Sequence, residues 1–300
     1  MEAWGEIDLD HTTVEQVRAS ELRRKEELGG TPVPVFEVRE FEIPGGDGAI
    51  RAWAYRPHEA EAAGVLVWFH GGGWVSGSLE ATDDEPRALA RASGCVVLAA
   101  EYRLAPEHPF PAGLEDAFAA VRWAASNADA LGAAPGRLAV GGGSAGGNLA
   151  ASVALLARDR GGPRIDFQLL VFPATCRHLD VPSRRDYSDG YRTTTEALEW
   201  CWRNYLPDDR VSADASPLLA DSLADLPPAF VLLAECDVLR DEGRCYAERM
   251  ASAGVPVEVR TYPGMLHGFT CFGAVVDAAS EALDEAGRAL RAGLATTTPC

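Results

Sequence analysis

Ser144 stands in Gly142-Gly143-Ser144-Ala145-Gly146, a G-x-S-x-G pattern. It follows the apolar run LAVGG (138–142) and opens the helix-forming stretch AGGNLAASVALLA. In such a strand–turn–helix setting the serine sits on a sharp turn with its hydroxyl presented for nucleophilic attack. Residues two positions to either side must be small, because larger ones would collide across the turn. A helix beginning at Ala145 adds free N–H groups and a positive dipole end where an oxyanion would develop. A phosphate cradle is the competing reading. It would end in Gly-Lys-Ser or Gly-Lys-Thr, and the chain contains neither.

A second glycine cluster, His70-Gly71-Gly72-Gly73-Trp74, follows directly on the run VLVWF (65–69). Consecutive glycines let bare backbone amides approach a substrate oxygen. The N–H groups of Gly71, Gly72 and Ala145 are the expected oxyanion hole. Losing one such donor typically costs about 3–4 kcal/mol of transition-state stabilisation. Alone the loop could be merely flexible; together with the serine motif each strengthens the other. His70 reads as a support for this loop rather than as a base.

A serine needs a base, and the base needs an acid to orient it. His267, in YPGMLHGF, lies just beyond the last strand-like run, VEVRTY. His11 and His58 lie near the N-terminus, His108 in a proline-fixed loop and His178 in a long insertion. Asp237, in AECDVLRDEG, follows the run FVLLA (230–234). Its rivals are Glu235, expected at the strand end, and Asp241, expected one turn into the next helix. Ser144, Asp237 and His267 then follow the chain order of one known triad architecture. His267 must be neutral to accept the serine proton, so activity should fall on acidification.

These side chains need a scaffold that brings them to one edge. Short apolar runs at 65–69, 95–100, 138–142, 167–172 and 230–234 suit strands buried on both faces of a parallel sheet. Helix-like segments at 83–92, 113–130 and 145–158 lie between them, and another at about 274–291 closes the chain. This alternation predicts an α/β class protein with a mostly parallel, doubly wound central sheet flanked by helices. Segments 36–43 and 50–55, joined by GGDG, predict an antiparallel hairpin ahead of it. The first 30 residues read as a helix, with Thr12 and Glu15 as a capping box and a modest apolar face of Val14, Val17 and Leu22. The aromatic stretch 174–217 is too long for a structureless loop. The chain thus reads as one domain over 1–300, with a helical cap built from about 1–34 and 176–213. Trp74, Tyr191, Trp202 and Phe269 are candidate pocket walls.

The composition is that of a globular protein, 47% hydrophobic and 24% charged. A formal net charge of −18 disfavours nucleic acid and anionic membranes as partners. The seven cysteines form no C-x-x-C pair, so neither a disulfide framework nor a structural metal site is expected. No secretory signal and no membrane-spanning run is evident, so the expectation is a cytoplasmic protein.

The motifs HGGGW (70–74), YRLAPEHPFPA (102–112), SAGGN (144–148), Asp237-Val238-Leu239-Arg240-Asp241-Glu242-Gly243 and YPGMLHGF (262–269) together resemble the hormone-sensitive-lipase-like branch of the α/β-hydrolases. The resemblance runs from about residue 35 to the C-terminus. It implies a carboxylesterase for short- to medium-chain esters, a helical cap, no cofactor and no metal, and homodimers through the sheet edge. Two departures stand out. Gly143 replaces the family's usual Asp or Thr, and Cys236 and Val238 replace an aromatic residue and a proline. An amidase or deacetylase would use the same triad, and a non-enzymatic receptor could use the same fold.

Overall fold

The computed structural model describes residues 12–295. In chain order its principal elements are α1 (Val14–Leu28), β1 (Glu37–Pro44), β2 (Ala49–Arg56), β3 (Val65–Phe69), α2 (Asp84–Ser93), β4 (Val96–Ala100), α3 (Ala112–Ser126), α4 (Ala128–Leu131), β5 (Leu138–Gly143), α5 (Ala145–Asp159), β6 (Phe167–Val171), α6 (Pro182–Asp186), α7 (Thr195–Tyr205), β7 (Ala229–Cys236), α8 (Arg240–Ser252), β8 (Val257–Leu266) and α9 (Asp277–Ala295). The eight strands form one sheet in the order β1-β2-β4-β3-β5-β6-β7-β8. β1 pairs antiparallel with β2, and β2 with β4. All later pairings are parallel.

Every residue of β3, β4, β5 and β6 is buried, which explains their nearly unbroken apolar sequences; the exception, Gln168 of β6, donates its side-chain amide to the Pro227 carbonyl. Two apolar layers sandwich the sheet. One joins its side chains to α3, α5 and α8. The other joins them to α2 and α9. The parallel strands all point their C-terminal ends at one edge, where loops carry functional groups in open α/β sheets.

Several boundaries differ from the sequence expectation. The predicted helix over 113–130 breaks at Asn127, whose side-chain amide donates to the Trp123 carbonyl and competes with the helical ladder. The capping box of α1 is Thr13 with Gln16, one residue beyond the Thr12–Glu15 pair. Val17 alone of α1 is buried, while Leu22 is 45% exposed. Most of that helix is polar, and its anchoring is correspondingly polar. Arg18 donates to the carbonyls of Val75 and Ala105 and pairs with Glu107. No helix among the described residues is long and apolar enough to cross a membrane. The six described cysteines are free thiols, and Cys300 and His11 lie outside the described residues.

Candidate active site

β5 delivers Ser144 to the rim of the sheet, and α5 starts at the next residue. Ser144 has φ 56° and ψ −116°, a strained turn held by its own amide donating to the Val171 carbonyl. The flanking glycines are steric necessities. A Cβ on Gly146 would lie 1.9 Å from the Phe69 carbonyl oxygen, and one on Gly142 would lie 2.3 Å from the Gly146 carbonyl carbon.

β7 ends at Cys236, so Asp237 is the first residue past the strand. β8 runs through Leu266, beyond the expected Tyr262, and hands His267 to the same rim. The Ser144 hydroxyl lies 2.9 Å from His267 Nε2, and His267 Nδ1 lies 2.7 Å from Asp237 Oδ2. A carboxylate only accepts, so Nδ1 carries the proton and Nε2 is free to accept from the serine. Asp237 is 1% exposed and also accepts from the Leu239 amide at 2.8 Å. His267 is 6% exposed and packs edge-on against Phe172. The two competing acids are engaged elsewhere. Glu235 accepts from the Gly264 amide, and Asp241 accepts from the Ser183 amide and pairs with Arg240.

The glycine loop faces this chain of groups. A Cβ on Gly71 would stand 3.2 Å from the Gly143 carbonyl oxygen and 3.5 Å from Ser144 Cβ. Among the described residues, the amides of Gly71, Gly72 and Ala145 donate to no protein acceptor. The Gly72 carbonyl instead receives the amides of Val75 and Ser76, which turns the loop back on itself. His70 supports this turn. Its Nδ1–H donates to the Gly71 carbonyl at 2.7 Å, its ring stacks on Tyr102, and the Tyr102 hydroxyl donates to the His70 carbonyl. Burial lowers the His70 pKa, which keeps the ring neutral.

The aromatic candidates fall into two groups. Trp74, Trp202 and Phe269 are 1%, 0% and 1% exposed, so in this conformation their rings are used in packing. Trp74 stacks on Tyr205 at 4.4 Å and against Trp202 at 4.3 Å. Tyr191 is 37% exposed and meets Tyr187 edge to face.

Two neighbours of the site carried no sequence signal. Cys201 of α7 lies so close to the loop that a Cβ on Gly73 would come within 2.3 Å of its sulfur. Burial pushes that thiol up to about 12, so it is not a thiolate nucleophile at neutral pH. Arg192, between α6 and α7, donates from Nη1 to the His267 carbonyl at 2.8 Å. Neither belongs to a motif, and the partners of each are distant in sequence.

A hydroxyl, an imidazole and a carboxylate in series, facing free amides, form an arrangement suited to acyl transfer. Known proteins bear a marked likeness to this chain. The sequence pattern of the α/β-hydrolase fold family matches residues 66–271. A carboxylesterase of Mycobacterium tuberculosis is 40% identical over 295 residues, covering 95% of this chain and 90% of its own. An esterase of the same organism is 42% identical over 90% of this chain and 86% of its own. Among solved structures, an ester hydrolase from the metagenome of Lake Arreo superposes with a TM-score of 0.93 at 40% identity, covering 97% of this chain and 94% of its own.

Proposed function

The chain belongs to the hormone-sensitive-lipase-like carboxylesterases of the α/β-hydrolase fold, and from that premise we propose that it cleaves short- to medium-chain carboxylic esters through an acyl-enzyme on Ser144. The observation that supports this reading most is the unbroken hydrogen-bond series from the Ser144 hydroxyl through His267 to Asp237. In the first step Ser144 Oγ attacks the ester carbonyl while His267 Nε2 takes its proton. Asp237 holds the ring in the required tautomer and stabilises the imidazolium. The amides of Gly71, Gly72 and Ala145 receive the oxyanion. The imidazolium then protonates the departing alcohol, and a water repeats the sequence on the acyl-enzyme.

The preference for shorter acyl groups rests on the crowding around the glycine loop. Cys201 presses on Gly73, and the next residue, Trp74, packs its ring against Trp202 and Tyr205 of the same helix as Cys201. α1 and the segment 176–213 act as the cap, α1 reaching the loop through Arg18 at the Val75 carbonyl and α7 through Cys201 and Trp202.

In the folded protein a fluorophosphonate should label Ser144. Ser144→Ala should lower p-nitrophenyl acetate hydrolysis on the order of 10⁴-fold or more. Undiminished hydrolysis by that variant, or a label on another residue, would remove Ser144 from the mechanism. Faster turnover of p-nitrophenyl laurate than of the acetate or butyrate would refute the chain-length preference.

A further inference from the structure

Arg192 has a left-handed backbone (φ 72°), which is rare for a side-chain-bearing residue, and it turns its guanidinium toward the catalytic loop. The group lies 4.9 Å over the Phe272 ring. It approaches Gly268 so closely that a Cβ there would lie 2.8 Å from Nη1. The residue is half-buried, and this desolvation, with repulsion from Arg24, pulls its pKa down to about 10 while leaving it charged at neutral pH.

Among the described residues no carboxylate pairs with it. Elsewhere the shielded arginines Arg184, Arg103 and Arg177 pair with Glu242, Asp116 and Glu199. Among the described residues Arg192 forms no ion pair within 4 Å, and its one hydrogen bond goes to the neutral His267 carbonyl. The acids whose charge it feels are already engaged. Glu21 pairs with Arg24 at 2.5 Å, and Asp237 receives His267 Nδ1 and the Leu239 amide. Among the described residues the remaining guanidinium N–H groups have no acceptor, yet they are absent from the solvent-shielded unpaired atoms, so they face accessible space. Guanidinium is a planar fork that matches a carboxylate in two parallel hydrogen bonds.

Resting on the esterase reading above, we propose that Arg192 is a substrate-binding residue that takes a carboxylate carried by the ester, so that the site favours anionic esters. The chemistry of the reaction makes the charge informative. His267 becomes a cation in the transition state, and an uncompensated guanidinium bonded to its carbonyl opposes that change. A substrate carboxylate on Arg192 cancels this opposition at the moment it matters. Mere positioning of the His267 backbone would need only a neutral donor.

The test compares two pairs of esters by pH-stat. Monoethyl succinate is set against ethyl isocaproate, and O-acetyllactate against its analogue with isopropyl in place of the carboxylate. In at least one pair the wild-type kcat/KM for the anionic ester should equal or exceed that of the neutral one. Arg192→Met should slow both, because the bond to His267 is lost. It should also lower the anionic-to-neutral ratio by about tenfold or more, through KM for the lost carboxylate bond and through kcat for the lost compensation of the imidazolium. Arg192→Lys should recover part of that ratio. The idea is overturned if the wild type is slower on the anionic ester in both pairs, or if Arg192→Met leaves the ratio unchanged. The wild-type ratios and the Lys variant decide the matter should the Met variant fail to fold. If no ester is turned over and fluorophosphonate leaves Ser144 unlabelled, the hydrolase reading itself fails. A labelled serine with an unchanged ratio sinks only the role of Arg192.

Discussion

A methyl group added to Gly143 would lie 3.6 Å from the Phe172 ring, an ordinary contact, and no left-handed backbone forbids it. Gly143→Ala should therefore stabilise the protein by about 0.4–1 kcal/mol, mainly by restricting the unfolded chain. The same change at Gly146 drives a carbon to 1.9 Å from the Phe69 carbonyl oxygen, and the elbow cannot absorb it without shifting β3. Urea unfolding of both variants checks the contrast, with a raised midpoint for the first and a large loss for the second; equal effects would show that these glycines are interchangeable. The difference also explains what could be read from sequence. Gly142 and Gly146 leave a pattern because backbone atoms exclude a side chain there. Ser144, Asp237 and His267 were legible because each follows a strand at a recognisable place. Arg192 was not, because its hydrogen-bond partner His267 lies 75 residues away and nothing local marks the contact.

At the scale of elements, α2 is latched to the turn that follows His267. Glu85, 3% exposed, accepts from the Thr270 hydroxyl at 2.6 Å. Burial raises its pKa, against the opposing effect of its bonds to Thr270 and Cys271. The folded state thus holds this proton more tightly than the unfolded chain. The stabilisation is complete below the normal carboxylate range and is lost as pH rises through it toward the raised value. Glu85→Gln keeps an acceptor for Thr270 and removes that loss. The stability of the variant relative to the parent should therefore grow from pH 4 to pH 7, at up to about 1.4 kcal/mol per pH unit inside the window. Thermal unfolding at several pH values reads this directly, and a constant difference would show that Glu85 ionises as freely as in the unfolded chain. The strands were legible element by element because burial on both faces forces continuous apolar runs. Element ends were less so: the break at Asn127 and the extension of β8 to Leu266 depend on a side-chain hydrogen bond and on pairing with β7. The N-terminal helix was hardest to read, since α1 buries only Val17 and is held by Arg18.

For the whole molecule the governing quantity is the formal net charge of −18. A chain of this length has a radius of gyration on the order of 19 Å. In 10 mM salt the screening length is about 30 Å, so the excess acids repel one another across the entire fold; at 150 mM it shrinks to about 8 Å. Salt also weakens attractive pairs such as Arg18–Glu107 and Arg260–Glu285. These pairs are in contact, where screening acts least, and exposed pairs contribute only about 0–1 kcal/mol each. The long-range repulsion is therefore lost first, and its loss favours the compact state. Moving from 10 to 150 mM NaCl should raise the melting temperature by a few degrees, about the shift that 1–2 kcal/mol produces at this size. A melting temperature that falls with added salt would mean that the contact pairs outweigh the unpaired acids, and that the acidity is distributed as local ion pairs rather than as a field.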